Sequence, residues 1–451
     1  MLLPDSFIQS LEPKFSEEDL LALLAALDQQ APTSIRVNPN KTSVPFEGEK
    51  VLWCPLGTYL DERPIFTLDP SFHAGAYYVQ EASSMFIWHI LQQITCKNKD
   101  IRILDLSAAP GGKSTLIAAF LNHEGLLVAN EIVKNRAYTL KYNLSKEGYS
   151  NVVVTNNDPK DFTALEDYFD IILVDAPCSG EGMFRKDPNA ITEWSPQNVT
   201  SCAVRQQKIL ADILPTLKEG GHLIYSTCTY NDDENINNVN YSIKEFGMTS
   251  VQIETENTWG ITEIQNEAAI GYQFYPHKTH GEGFFAAVLQ KTSPNNTTKW
   301  RIDDKNIVDL DKKQIPIVAP WVNLAQKELL IDKVGNIHLF PSEYKEDARI
   351  LSHYLRLIYC GTTLGTLNKT VFIPDHSLAL SLDRSIDIPT VELNKMDALR
   401  YLKRELNEVD SPHKSWVLAT YQGLGIGWLK NLGNRINNYL PAEYRILMKI
   451  D

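Results

Sequence analysis

The stretch IRILDLSAAPGGKSTLIAAFLN (101–122) decides the fold. It opens on a short apolar run, IRILDLS (101–107), breaks at a Gly-rich turn, and resumes as the helical run STLIAAFLN. Its ending, Gly112-Lys113-Ser114, invites a phosphate-loop reading. That motif needs a glycine five residues before Gly112, and Ser107 stands there instead. The dinucleotide pattern Gly-x-Gly-x-x-Gly is absent as well. What remains is a turn that a ligand can approach closely, followed by a helix N-terminus suited to a carboxylate or phosphate. A tight turn that merely packs helix on strand is the competing reading.

The same alternation continues on both sides. GLLVANE (125–131), NVVVTNND (151–158), FDIILVDAP (169–177), HLIYSTCTY (222–230) and FFAAVLQ (284–290) read as strands. VKNRAYTLKYNLSKEG (133–148) has helical spacing, and QQKILADILPTLKEGG (206–221) reads as a helix stopped by Gly220 and Gly221. Upstream, SEEDLLALLAALDQQ (16–30) is a helix capped by Ser16, with Asp19 at its third position. Strands alternating with helices predict an α/β fold, a mostly parallel sheet with helices on both faces. Beyond residue 292 the texture changes. SPNNTTKW (293–300) is linker-like, and TVFIP, SWVLATY and GIGWLK are short strands around one helix, MDALRYLKREL (396–406). The expected division is 1–85, an N-terminal extension; 86–292, the α/β domain; 293–375, a linker and intermediate region; and 376–451, a C-terminal α+β module.

The chain has 451 residues and a formal net charge of −13, which speaks against nucleic acid unless basic groups are concentrated locally. From Glu392 to Asp451 there are 9 Lys and Arg against 7 Asp and Glu, a net of +2. No apolar run approaches the ~20 residues needed to span a membrane. The opening residues lack a secretory pattern. The six cysteines contain no Cys-x-x-Cys pair, so neither zinc nor a disulfide framework is expected, and a reducing cytoplasm fits.

In such sheets ligands bind beyond the carboxyl ends of the strands. Those ends carry Ser107–Lys113, Glu131, Asp158, Asp175–Cys178 and Thr227–Thr229. A carboxylate-bearing cofactor such as S-adenosylmethionine suits the loop Ser107, Ala108, Ala109, Pro110, Gly111, Gly112 and Lys113. Glu131 can accept ribose hydroxyls, or else cap the next helix. Asp158 can accept from an adenine amino group, or else be a turn acid before Pro159. Three such groups on consecutive strands are a stronger sign than any one.

Two cysteines lie at adjacent strand ends, Cys178 in DAPCSGEG (175–182) and Cys228 in STCTY (226–230). A lone cysteine is usually a small buried hydrophobe, the reading given to Cys54, Cys96, Cys202 and Cys360. Paired thiols beside Asp175 suit another chemistry. Carbon 5 of cytosine becomes nucleophilic once a thiolate adds to carbon 6, while an acid holds the base edge and shares a proton with the ring. Position alone leaves open which thiol attacks.

These residues resemble the RNA 5-methylcytosine methyltransferases of the Nop/Sun type, closest to the bacterial RsmF-like branch. The matching segments are YYVQEASSMF (77–86), LDLSAAPGGKST (104–115), ANE (129–131), LVDAPCSGEGMFRKDP (173–188), YSTCTYNDDEN (225–235) and HGEGFF (280–285). GLGIGWLKNLGNRINNYLP (423–441) resembles that branch's PUA-like RNA-binding module. The resemblance implies a Rossmann-like, S-adenosylmethionine-dependent core without a metal. Ser107–Lys113 would surround the methionine side of the cofactor, Glu131 its ribose and Asp158 its adenine, with Arg136 buttressing Glu131. It also implies Asp175 on the target cytosine, Cys228 as nucleophile and Cys178 in product release. SIRVNPNK (34–41) would belong to an RNA-contacting extension. The implied partner is RNA, 16S rRNA or the small ribosomal subunit. Transfer RNA is the alternative substrate, and a non-catalytic RNA-binding assembly factor the alternative function.

Overall fold

The computed structural model of the protein describes residues 3–42, 46–95, 100–294, 299–302 and 305–450. Cys96 and residues 295–298 of the polar stretch lie outside the described residues. A ten-stranded sheet forms the centre. Its strands in chain order are β1 (Arg102–Asp105), β2 (Leu126–Asn130), β3 (Val152–Thr155), β4 (Phe169–Asp175), β5 (Leu217–Thr227), β6 (Met248–Ser250), β7 (Thr262–Asn266), β8 (Ala269–Phe274), β9 (Phe284–Lys291) and β10 (Leu357–Cys360). They lie in the order β7-β8-β9-β5-β4-β1-β2-β3-β10, and β6 pairs with β9. The first five strands are mutually parallel, whereas β7, β8, β9 and β10 extend the sheet antiparallel at its two edges.

Side chains alternate across a strand, and here both faces are apolar. Ile103, Leu127, Val152, Val154, Ile171, Leu173 and Ile224 face one side, and Leu104, Val128, Val153, Ile172, Val174 and Leu223 face the other. Helices α1 (Phe86–Ile94), α2 (Gly112–Leu121) and α3 (Lys134–Glu147) cover the first face. Helices α4 (Pro196–Ile213) and α5 (Ile236–Phe246) cover the second. Two buried faces account for the near-continuous apolar runs of the parallel strands.

One expected boundary moves. The helix predicted to run to Gly220 ends at Ile213, and β5 begins at Leu217. Pro215 lacks the N–H that a continuing helix requires, and Leu217 pairs with Phe169. The two glycines sit inside the strand, where the register with β4 shifts between Phe169 and Ile171. A Cβ on Gly221 would meet the Asp170 carbonyl at 2.9 Å.

A three-stranded sheet, with Thr33–Val37 between Gly57–Leu60 and Tyr77–Val79, packs before the core. The region expected to be a linker and intermediate segment, 293–375, holds a five-stranded antiparallel sheet, Ile307–Asp309 to Val371–Pro374, and supplies β10 to the central sheet. A four-stranded sheet of Thr390–Glu392, Ser415–Tyr421, Leu424–Asn431 and Ile436–Asn438 lies last, beside helix Lys395–Lys403.

The motif SIRVNPNK (34–41) turns inward rather than toward a partner. Arg36 and Asn38 are both 1% exposed. Arg36 donates to Gln80 Oε1 at 2.9 Å and to Thr115 Oγ1 at 2.7 Å, and lies 3.6 Å from the buried Glu147 carboxylate. Asn38 donates to the same carboxylate at 2.9 Å. Lys41 donates to the carbonyls of Ala74, Lys146 and Leu380, at 2.8, 2.5 and 2.7 Å. Three regions of the chain thus meet on one ammonium. Basic side chains fully withdrawn from water must be paired, and here they join the N-terminal sheet to α3 and the C-terminal region.

Removing one partner of a buried ion pair costs about 3–5 kcal/mol, whereas an exposed pair is worth less than about 1 kcal/mol. Glu147→Ala should therefore lower the thermal midpoint by several degrees. Lys244→Ala, which breaks the exposed Lys244–Glu267 pair, should leave it nearly unchanged. Differential scanning fluorimetry on the full chain checks both.

Candidate functional site

The turn after β1 is built around one glycine. Gly111 has φ +121°, a region that L side chains rarely adopt, and it precedes α2 without any side-chain cap. A Cβ on Gly112 would meet only ordinary contacts, the nearest at 3.7 Å. The loop is fastened from behind. Ala108 N–H donates to the Asn130 carbonyl at 2.8 Å, Arg136 donates to the Ala109 carbonyl at 2.9 Å, and Asn143 to the Pro110 carbonyl at 2.8 Å. Asn130 ties neighbouring strand ends together, donating to the Leu106 and Asn157 carbonyls.

A cavity of about 370 Å³ opens at the carboxyl ends of β1, β4 and β5. Ser107, Ala108, Ala109, Pro110, Gly112, Lys113, Asp175 and Cys228 line it, with Tyr78, Gln80, Ser84 and Phe284 from outside the parallel strands. A larger hollow of about 910 Å³ lies between Val391 and Asp410, but its walls carry carboxylates and no nucleophile. Among the described residues no cluster is placed to hold a metal ion, and no helix is long and apolar enough to cross a membrane.

Glu131, Asp158 and Arg136 do not line the cavity. Glu131 is 2% exposed, and its Oε1 accepts from the Val133 N–H at 2.9 Å, so it caps the start of α3. Its other oxygen lies 3.4 Å from Arg136, which links it to the loop through the Ala109 carbonyl. Asp158 caps the turn Pro159–Ala164 through the Lys160 N–H at 3.1 Å, with Asp161 completing the capping box. Glu131 thus stands at the helix start and Asp158 at the turn before Pro159, the two positions that the competing readings gave them.

The chemical end of the cavity is held by charge. Lys113 Nζ lies 2.8 Å from Asp175 Oδ2, and Ser226 donates to Asp175 Oδ1 at 2.8 Å. Burial draws the Lys113 ammonium down, but Asp175, Asp105 and Cys228 outweigh it and the net shift is upward. Lys113 is thus an ion partner of Asp175 as well as a loop residue. Cys178 and Cys228, at the ends of adjacent parallel strands, bring their sulfurs to 3.0 Å. The contact with Cys228, then burial, then Glu234 push the Cys178 thiol well above its ordinary range. Cys54, Cys202 and Cys360 are buried.

Sequence reading passed over the residues that brace these loops: Glu181, Glu234, Gln206 and Asn130. All four lie inside stretches read as strand, helix or matching segment, without a role of their own: Asn130 in GLLVANE, Glu181 in DAPCSGEG, Gln206 in QQKILADILPTLKEGG and Glu234 in YSTCTYNDDEN.

Asp105, at the end of β1, is fully buried and lines the cavity. Its Oδ2 accepts from Ser114 at 2.5 Å, and Oδ1 has no protein partner. Burial, opposed by the Ser114 hydrogen bond and Lys113 and aided by Asp175 and Glu131, lifts its carboxyl to about 7. A carboxyl that binds its proton more tightly when folded loses stability as pH rises from its unfolded value near 4 to its folded value, by up to ~1.4 kcal/mol per unit. Asp105→Asn should gain in thermal midpoint over the parent between pH 5 and 7, with no further gain between pH 7.5 and 8.5. A difference independent of pH would contradict the assignment.

The chain is similar to known proteins along nearly its whole length. The family model for the 16S rRNA methyltransferase RsmB/F matches residues 92–290. Those for the N-terminal domain of 16S rRNA methyltransferase RsmF and for the methyltransferase RsmF PUA domain match residues 3–82 and 388–446. The chain is similar to ribosomal RNA small subunit methyltransferase F of Aliivibrio fischeri, 31% identical over 98% of each chain. Its counterpart in Escherichia coli O157:H7 is 32% identical, over 98% of this chain and 96% of that one. A methyltransferase homolog from Pyrococcus horikoshii superposes with TM-score 0.53 at 27% identity, covering 64% of this chain and all (100%) of that one. NSun6 from the same organism, solved with SFG, shares the fold at TM-score 0.54 and 22% identity, covering 64% of this chain and 98% of that one.

Proposed function

The chain belongs to the RsmB/F family of 16S rRNA methyltransferases, and from that membership and the site's chemistry we propose that it makes 5-methylcytosine in small-subunit ribosomal RNA, with S-adenosylmethionine as donor and Cys228 as covalent nucleophile. The observation that carries the reading is the thiol pair, 3.0 Å apart, beside an Asp175 carboxylate paired with Lys113.

The residues present suit the cofactor. The cavity lies in the ~300–1,000 Å³ range of small-molecule sites, and the uncapped start of α2 offers N–H donors for the carboxylate, and the orphan Asp105 Oδ1 an acceptor for the ammonium, of an amino-acid zwitterion. Ser107–Lys113 would hold its methionine end, with Glu131 and Asp158 toward ribose and adenine. When bound, S-adenosylmethionine supplies an electrophilic methyl group.

The protein's own residues do the rest. Cys228 adds as thiolate to carbon 6 of a splayed-out cytosine. Asp175, held by Lys113 and Ser226, grips the base edge and shares the proton that arrives at the ring nitrogen as carbon 5 becomes nucleophilic. After carbon 5 is methylated, its proton must leave before the Cys228–carbon 6 bond can break. Cys178 suits that step. With Cys228 bonded to the ring, the contact that most strongly holds the Cys178 proton is gone; the thiol gives that proton to water, and the thiolate takes up the carbon 5 proton as the carbon 5–carbon 6 double bond re-forms and Cys228 leaves as thiolate. The inward-facing motif 34–41 leaves RNA contact to other parts of the N-terminal region and to the PUA domain.

Cys228→Ala should abolish methyl transfer to small subunits from a strain lacking the protein, a loss of at least ~10³-fold. Cys178→Ala should instead accumulate an RNA–protein adduct stable on a denaturing gel. Bisulfite sequencing of 16S rRNA from that strain, with and without the gene restored, should show one cytosine change. An unchanged profile, or methyl transfer by Cys228→Ala at the parent rate, would overturn the reading.

A further inference from the structure

Two buried glutamates tie the cysteine loops together in a reciprocal manner. Glu181 lies three residues after Cys178, yet its carboxylate serves the other loop. It accepts from the Thr229 hydroxyl, the Tyr230 N–H at 2.6 Å and the Asn231 N–H at 3.1 Å, the three residues that follow Cys228. Its second oxygen accepts from Trp194 Nε1 at 3.0 Å and Asn231 Nδ2 at 3.1 Å. Glu234 lies six residues after Cys228 and serves the loop of Cys178. It accepts from the Ser179 N–H at 3.0 Å and from Gln206 Nε2 at 2.8 Å. The same Gln206 amide donates to the Pro177 carbonyl at 3.0 Å. The residues before and after Cys178 are therefore both fixed by the Glu234–Gln206 pair. Asn231 bridges the two systems, donating to Glu181 and, at 2.8 Å, to Glu234.

The exposures of Glu181 and Glu234 are 1% and 0%. Buried carboxylates are costly unless saturated with donors, and these accept from loop N–H groups and from the side chains of Thr229, Trp194, Asn231 and Gln206 rather than from cations. Backing comes from the N-terminal helices. Phe7, Leu11 and Leu23 pack on Trp194 and Tyr230, and Lys14 donates to the Tyr230 carbonyl at 2.7 Å. Gly182 closes the joint: its N–H donates to the Cys228 carbonyl at 2.8 Å, and a Cβ there would meet that oxygen at 2.9 Å.

We infer that Glu181 and Glu234 are positioning residues with separate duties, Glu181 fixing the nucleophile Cys228 for adduct formation and Glu234 fixing Cys178 for adduct release. The inference rests on the thiol roles proposed above. Neither glutamate lines the cavity, so each acts through its loop.

The test uses the full-length protein, S-adenosylmethionine and small ribosomal subunits from a strain lacking this protein. It reads denaturant-stable RNA adduct and methylated product in the same reaction. Glu234→Ala and Glu234→Gln should raise the adduct-to-product ratio about tenfold over the parent, because release is slowed. Glu181→Ala and Glu181→Gln should lower adduct and product together, by about a hundredfold for alanine. A merely structural role for Glu234 would lower adduct and product together and leave that ratio at the parent's value. Cys178→Ala and Cys228→Ala are run alongside. If they behave as proposed while the Glu234 variants keep the parent's adduct-to-product ratio, or the Glu181 variants keep the parent's adduct level or raise that ratio, the inference is overturned and the thiol roles stand. If Cys178→Ala gives no adduct or Cys228→Ala stays active, the thiol roles fall and the inference falls with them. Where melting shows an alanine variant unfolded, its glutamine counterpart decides, since it keeps the size of the side chain while removing the charge and turning one acceptor oxygen into a donor.

Discussion

The structure depends on β4 and β5 being parallel neighbours whose ends stop level with each other. Asp175 pairs with Ser226 across that boundary, so each strand releases its chain into the crevice at the same height. The loops that follow carry Cys178 and Cys228, and strand spacing alone brings the two sulfurs within reach. A one-residue slip in either strand would turn its side chains to the opposite face. Register is therefore the first determinant of the chemistry. The apolar alternation of Ile172, Leu173 and Val174 against Leu223, Ile224 and Tyr225 sets that register.

Proximity of two thiols is not sufficient, because turns after strands are ordinarily loose. Here they are stiffened by acids that face inward. Glu181 and Glu234 are saturated by loop donors, Lys113 and Ser226 hold Asp175, and the N-terminal helices press on the back of the Tyr230 segment. The regions outside the catalytic domain thus have an architectural share in the site. Lys41, on three carbonyls from three regions, gives the C-terminal part a fixed seat beside α3, reinforced by the Tyr142–Tyr444 ring stack at 4.0 Å. An RNA-binding module seated in this way meets its substrate at a set distance from the cavity.

How much was legible in the sequence follows from which interactions are local. The glycine turn at Gly111, the Ser16 cap and the apolar runs are local, and were readable. So was the rule that ligands gather at strand ends, which correctly singled out the loop, Asp175 and both cysteines as neighbours. Glu181 and Glu234 were not readable, since an acid in a turn looks the same whether its partner is water or a backbone N–H fifty residues away. The partners of Arg36 and Lys41, Glu147 and three carbonyls, are equally non-local and so were not readable. The Gly220-Gly221 pair reads as a helix stop because its real setting, a strand with shifted register, is created by the neighbouring strand β4.

The central claim is that Cys228, and not Cys178, bonds to the cytosine. The most direct measurement replaces cytosine with 5-fluorocytosine in the RNA, so that carbon 5 has no proton to lose and the adduct cannot be released. The complex is then digested and the modified peptide sequenced by mass spectrometry. The account predicts a nucleotide attached to the peptide containing Cys228, with Cys178 unmodified. A nucleotide on Cys178, or no adduct while methyl transfer to unmodified RNA proceeds, would contradict it.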